Sequence, residues 1–136
     1  MAILINKDSK VIVLGITGKS GALQTKAMLD AGTDIVAGVT PGKGGQEVYG
    51  VPVYNFVSEA AAEHEFDTAI CFVPPFAAKD SCYEAIDAGV GLVVLTTEEM
   101  ELNDSVEIIE YAHAHGATLV GPGCAGVLAP EECTVG

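Results

Sequence analysis

Arginine and tryptophan are missing from the chain, and its only cations besides histidine are six lysines. Nineteen Asp and Glu outnumber them, for a formal net charge of −13. With no bidentate guanidinium and an overall charge that repels phosphodiesters, the composition argues against nucleic-acid binding. The same excess argues against docking on an anionic membrane surface. Long apolar runs are also absent, which speaks against a membrane span, and no cationic, apolar leader opens the sequence. The four cysteines, Cys71, Cys82, Cys124 and Cys133, include no C-x-x-C pair, so reduced thiols and a cytoplasmic location are expected. A small anionic ligand stays open, because charges beyond about 8 Å are screened at physiological salt and only the local field acts on it.

What is present is enough for one domain. The 136 residues are 49% apolar with a mean hydropathy of +0.39, and a chain of this size buries about two thirds of its unfolded surface. The 16 glycines and 6 prolines fall singly or in short motifs between apolar runs, as turn punctuation. Short apolar runs predict strands at 11–14, 35–39, 51–54, 69–73, 92–95 and 118–120. Between them, helices are expected at 18–31 with Leu23, Ala27 and Ala31 inward, and at 58–65. Further helices are expected at 77–88 with Ala78, Cys82, Ala85 and Ile86 inward, and at 104–115 with Val106, Ile109 and Ala112 inward. After residue 120 no terminal element is expected, as in a chain that has been cut. Strands alternating with helices imply right-handed crossovers and an α/β, Rossmann-like, doubly wound parallel sheet. Ligands of such sheets bind beyond the carboxyl ends of the strands, here the loops at 15–21, 40–45, 74–76, 96–99 and 121–125.

The first of these loops, Gly-Ile-Thr-Gly-Lys-Ser-Gly at 15–21, follows a strand and opens a helix. Glycines there allow a tight turn and a close backbone approach, and the helix amides and dipole favour a phosphate. Thr17, Lys19 and Ser20 add two hydroxyls and a cation. A dinucleotide site of the NAD type places a carboxylate at the end of the second strand. Here that strand runs into Val-Thr-Pro-Gly-Lys-Gly-Gly at 39–45, so a hydroxyl and the ammonium of Lys43 stand in its place. Lys43 suits an extra phosphate on a ribose, a feature that leaves NADP open on these residues alone.

Taken in order, the two glycine-rich loops, Val-Pro-Pro at 73–75, Glu-Ala-Ile-Asp-Ala-Gly at 84–89, Thr-Thr-Glu at 96–98 and Gly-Pro-Gly-Cys-Ala-Gly at 121–126 resemble one family. It is the N-terminal, coenzyme A-binding domain of the succinyl-CoA synthetase (succinate–CoA ligase, ADP- or GDP-forming) alpha subunit. The resemblance spans residues 1–136 and implies that Thr17, Gly18, Lys19 and Ser20 bind the CoA phosphates. It gives Lys43 the phosphorylated ribose, and Thr96, Thr97 and Glu98 the nucleotide. Pro74 and Pro75 would wall the site, with Cys124 towards the thiol end of CoA. Lys-Ser at 19–20 departs from the family's usual Ser-Gln, and Gly123 and Ala125 from its Asn and Pro. The resemblance further implies a tricarboxylic acid cycle ligase working through a phosphohistidine in a second domain and with a beta subunit. That second domain is not in this chain, which is therefore expected to bind CoA and to catalyse nothing alone. Two alternatives are a stand-alone CoA-binding or regulatory module and, opposed by the missing acid, an NADP-dependent dehydrogenase domain.

His113 and His115 are expected in the last turn of a helix on different faces, and His64 at another helix end. All three are expected on the surface, with no catalytic role and no metal; the cysteines and histidines lack zinc spacing.

Overall fold

The computed structural model describes residues 9–97, 100–121, 127–129 and 133–135. The chain runs β1 (Lys10–Leu14), α1 (Lys19–Asp30), β2 (Asp34–Val39), β3 (Glu47–Val48), β4 (Val51–Tyr54), α2 (Val57–Glu63) and β5 (Thr68–Cys71). It continues through α3 (Pro75–Asp87), β6 (Leu92–Leu95), α4 (Leu102–Ala114), β7 (Thr118–Val120), β8 (Val127–Ala129) and β9 (Cys133–Val135).

All four residues of Val11, Ile12, Val13 and Leu14 are buried, which a strand permits only in the middle of a sheet covered on both faces. β1 indeed lies centrally in the order β3-β4-β2-β1-β5-β6-β7, and every pairing but β3–β4 is parallel. Ile12, Leu14, Ala69, Cys71, Val93 and Leu95 point to one face, where they share a core with residues of α2, α3 and α4. Val11, Val13 and Ile70 point to the other and pack with Met28 of α1. The α/β, Rossmann-like sheet expected from the sequence is thus the one observed. The chain leaves β1 towards β2 and β4, then returns to β5 on the opposite side, so the strand order reverses between β1 and β5. A crevice at the carboxyl ends follows from that reversal.

Several local expectations are corrected. The inward face of α1 is Gly21, Thr25 and Met28, while Leu23, Ala27 and Ala31 are exposed. Thr25 can be buried there because its hydroxyl donates to the Gly21 carbonyl at 2.7 Å. The inward face of α4 is Ile108 and Ala112, with Val106 and Ile109 turned to solvent. Its packing on α3 sets that rotation: Lys79 reaches Asp104 at 3.5 Å and Glu107 at 3.1 Å, and Tyr83 stacks on Tyr111. In α3, Ala78, Cys82, Ala85 and Ile86 are buried as expected, but the helix begins at Pro75, where a fixed φ and a missing N–H cost nothing. Two elements were not foreseen. β3 joins β4 through Tyr49 and Gly50, both at positive φ as a two-residue hairpin turn demands. β8 and β9 pair antiparallel where no terminal element was expected.

Candidate functional site

Three loops meet at the carboxyl edge. β1 is followed by Gly15, whose amide donates to the Val39 carbonyl at 2.8 Å, and the Phe72 amide donates to the Leu14 carbonyl at 2.9 Å. Gly15 has φ +80°, and a Cβ there would lie 3.1 Å from the Phe72 carbonyl carbon and from Val73 Cγ1. The loops after β1 and β5 are therefore in contact at a position that only glycine fills. Gly21 is as confined: a Cβ would lie 2.1 Å from the Gly15 oxygen, so the first turn of α1 rests directly on the β1 turn.

That contact fixes the start of α1. Gly18 is its N-cap and has no side chain to bond the helix amides, no acidic residue occupies the first turn, and the first helical bond runs from Ala22 N–H to Gly18 O at 2.8 Å. The amides of Lys19, Ser20 and Gly21 accordingly have no intrahelical acceptor, and they carry the positive end of the helix dipole. Lys19 and Ser20 are exposed beside them and Thr17 is half-buried. Such an end, uncapped and close to a cation, has the chemistry of an anion site.

The loop after β2 joins the same edge. The Thr17 amide donates to Thr40 Oγ1 at 3.3 Å. Where a dinucleotide site of the NAD type has a carboxylate, this chain has a hydroxyl already engaged with the β1 turn. Lys43 is exposed on a turn closed by its own amide to the Thr40 carbonyl at 3.0 Å. Among the described residues neither Lys19 nor Lys43 is ion-paired, whereas Lys26 pairs with Asp30 and Lys79 with Asp104 and Glu107. Two ammonium groups without an ion pair among the described residues thus stand at the start of α1 and on the neighbouring loop of an acidic molecule. A groove of about 630 Å³ continues from this loop, lined by residues 44–47, 52–55 and Glu59.

Thr96 and Thr97 follow β6 and are placed differently from the phosphate-loop residues. Their hydroxyls donate to the Cys71 and Val73 carbonyls at 2.5 and 2.7 Å, so both side chains tie the β6 loop to the β5 loop. Pro74 is the exposed N-cap of α3. Glu98 and Cys124 lie outside the described residues. The structure brings Thr17, Gly18, Lys19, Ser20 and Lys43 onto adjoining loops, with Pro74, Thr96 and Thr97 on the far side of the β1–β5 reversal.

Residues 6–99 match the model of the CoA binding domain family. The chain belongs to the CoA-binding domain family. It is 50% identical over 136 residues to succinate–CoA ligase [ADP-forming] subunit alpha 1 of Archaeoglobus fulgidus, covering all of this chain and 47% of that protein. To the corresponding alpha subunit of Aquifex aeolicus it is 51% identical over 139 residues, covering 100% of this chain and 45% of that one. The chain spans about half the length of the curated relatives it matches. Its fold is similar to that of ATP citrate lyase from Methanothrix soehngenii, solved in complex with citrate and coenzyme A, with a TM-score of 0.78 and 21% identity. That match covers 91% of this chain and 22% of the lyase.

Cys71 and Cys82 are buried free thiols with sulfurs 3.9 Å apart, and their mutual hydrogen bond, then burial, hold the Cys71 thiol well above its usual range. Tyr54 is pushed up to about 12, first by the Glu63 carboxylate near its hydroxyl and then by partial burial. His64 is half-buried rather than on the surface, its Nε2 2.9 Å from the Tyr54 hydroxyl oxygen. His113 and His115 are exposed, and His115 stacks on Tyr111. No described helix is long and apolar enough to cross a membrane.

The sequence does not show the bond that Thr40 makes to the β1 turn, nor the contact of Asn55 with the Lys43 loop. Thr40 lies within a recognised motif, but its bond to residue 17 is a tertiary contact. Asn55 carries no motif at all.

Proposed function

We propose that this chain binds coenzyme A at the carboxyl edge of its sheet and forms the CoA-binding portion, residues 1–136, of a succinate–CoA ligase alpha subunit. The observation that carries this reading is the uncapped first turn of α1, seated on Gly15 and joined through Thr17 and Thr40 to the loop bearing Lys43, which has no ion pair among the described residues. Backbone amides of residues 19–21 with Thr17, Gly18, Lys19 and Ser20 would hold the diphosphate. Lys43 would take the phosphorylated ribose, as a point charge on an exposed turn. Thr96 and Thr97 have their hydroxyl protons committed to β5, so they would contribute shape, backbone groups and acceptor oxygens, with Pro74 as the wall opposite. Glu98 and Cys124 keep the parts given to them by the family resemblance, towards the nucleotide and the thiol end.

In the intact protein this module would present CoA to a ligase that makes succinyl-CoA at the expense of a nucleoside triphosphate, through a phosphohistidine carried elsewhere and with a beta subunit, in the cytoplasm. His64, His113 and His115 are not that histidine, and this chain alone would bind without turnover. The family match supports CoA over NADP, and the hydroxyl that replaces a dinucleotide-site carboxylate argues against NAD. Calorimetry with CoA, dephospho-CoA and NADP tests the proposal. CoA should bind more tightly than either, and Lys43→Ala should abolish the preference for CoA over dephospho-CoA. Binding of NADP without binding of CoA would overturn the assignment.

A further inference from the structure

The lysine given to the ribose phosphate is exposed, with a flexible four-carbon stem on a loop containing three glycines. Such a loop would sample many conformations and lose entropy on binding unless something held its backbone. The structure shows what holds it. Asn55 Oδ1 accepts the Gly42 amide at 2.8 Å and the Gly44 amide at 3.0 Å, the residues immediately before and after Lys43. One side-chain oxygen therefore pins both flanks of the lysine to the end of β4.

Asn55 is itself anchored. Its amide and that of Phe56 both donate to Glu59 Oε1, each at 3.1 Å, which fixes the turn leading from β4 into α2. The loop closes on the same strand through Thr40 N–H to Tyr54 O at 3.0 Å and Gly45 N–H to Val53 O at 3.0 Å. The approach is tight: a Cβ at Gly44 would lie 2.7 to 3.0 Å from the Asn55 side chain. A side chain at residue 44 would therefore have to push the Asn55 amide aside.

We infer that Asn55 is a positioning residue for Lys43, and that the Asn55–Glu59 clamp sets the selectivity of this site for a ribose that bears an additional phosphate. The inference rests on CoA being the ligand, and it assigns the preorganisation to residues outside the set given the phosphate and nucleotide contacts. Asn55 acts only through the lysine loop, so its removal should act on phosphate selectivity rather than on binding in general.

The test is a double-mutant cycle in calorimetry, with CoA and dephospho-CoA, on the parent chain, Asn55→Ala, Lys43→Ala and the double variant. A charge-assisted contact is worth enough that Asn55→Ala should lower the CoA-to-dephospho-CoA affinity ratio roughly tenfold, towards that of Lys43→Ala. The double variant should lose no more than Lys43→Ala does. Amide hydrogen exchange of the unliganded protein provides a second readout: Gly42 and Gly44 should lose protection in Asn55→Ala. Asn55→Asp, which keeps an oxygen acceptor at the same reach, should restore it. A ratio unchanged in Asn55→Ala, or losses that add in the double variant, would overturn the inference while leaving CoA binding intact. A parent chain that shows no preference for CoA over dephospho-CoA would instead sink the assignment of the phosphate to Lys43, and this inference with it.

Discussion

Replacing Gly21 by alanine separates the contact beneath the phosphate loop from ordinary helix energetics. In a helix interior the change would stabilise by about 0.8–1.0 kcal/mol on propensity alone. Here the new Cβ would lie 2.1 Å from the Gly15 oxygen, 3.0 Å from its carbon and 3.1 Å from Ile16 Cα, all backbone atoms that no rotamer change can move. The first turn of α1 must withdraw by more than about 1 Å to reach ordinary contact, an overpacking that costs about 1–3 kcal/mol and offsets or exceeds the propensity gain. The net loss, up to about 2 kcal/mol, lowers Tm by up to roughly 7 °C in a chain of this size. The same withdrawal carries the amides of residues 19–21 off the anion position, so CoA affinity should fall at least about tenfold, or about 1.4 kcal/mol. Ala27→Gly, on the exposed face of the same helix, is the matched control: it should cost about 1 kcal/mol of stability and leave CoA affinity alone. Differential scanning calorimetry and titration of the three proteins decide the matter. A Gly21→Ala protein that melts at or above the parent and binds CoA equally well would refute the geometry.

Four further outcomes are expected. Thr40→Val removes the acceptor of the Thr17 amide and should cost about 0.5–1.5 kcal/mol in denaturant melts with a parallel weakening of CoA binding. Ile108→Ala should cost about 2–5 kcal/mol, whereas Ile109→Ala, 49% exposed, should stay within about 0.5 kcal/mol; equal losses would mean that α4 presents a different face. Because the phenol of Tyr54 is held up to about 12, the folded state keeps a proton that the unfolded chain releases near 10. Its contribution is present in full below pH 10 and is lost as pH rises towards 12, so Tyr54→Phe should flatten the alkaline limb of the stability curve. Raising salt should weaken CoA binding several-fold, since two exposed ammonium groups are screened, and a salt-independent Kd would contradict their role.

Much of the fold was legible because a buried parallel strand needs a short apolar run and a helix needs a stop. Val11 to Leu14 and Leu92 to Leu95 read as strands from composition alone, and Gly89, at φ +97°, marks the end of α3 by the conformation it adopts. The loops at the carboxyl ends were equally readable, since a glycine-rich turn between a strand and a helix creates uncapped amides wherever it occurs. Helix orientation was not. In α4 the residues at 102, 106 and 109 form one apolar stripe and those at 108 and 112 another, and periodicity cannot choose between them. Packing on α3 chose the second, and left the first facing solvent. In α1 Thr25 reads as polar in the sequence, yet it is buried because its hydroxyl donates to a carbonyl four residues earlier.

Sequence alone determined the chemistry at this edge: which loops carry glycine, hydroxyl and ammonium, and that no carboxylate ends the second strand. Tertiary structure decided how that chemistry is held. The bonds from Thr17 to Thr40 and from Gly42 and Gly44 to Asn55 join residues 23, 13 and 11 positions apart. A hydrogen bond over such separations exists only once β1, β2 and β4 lie side by side, because local periodicity records which face a residue prefers and not which distant residue will meet it there.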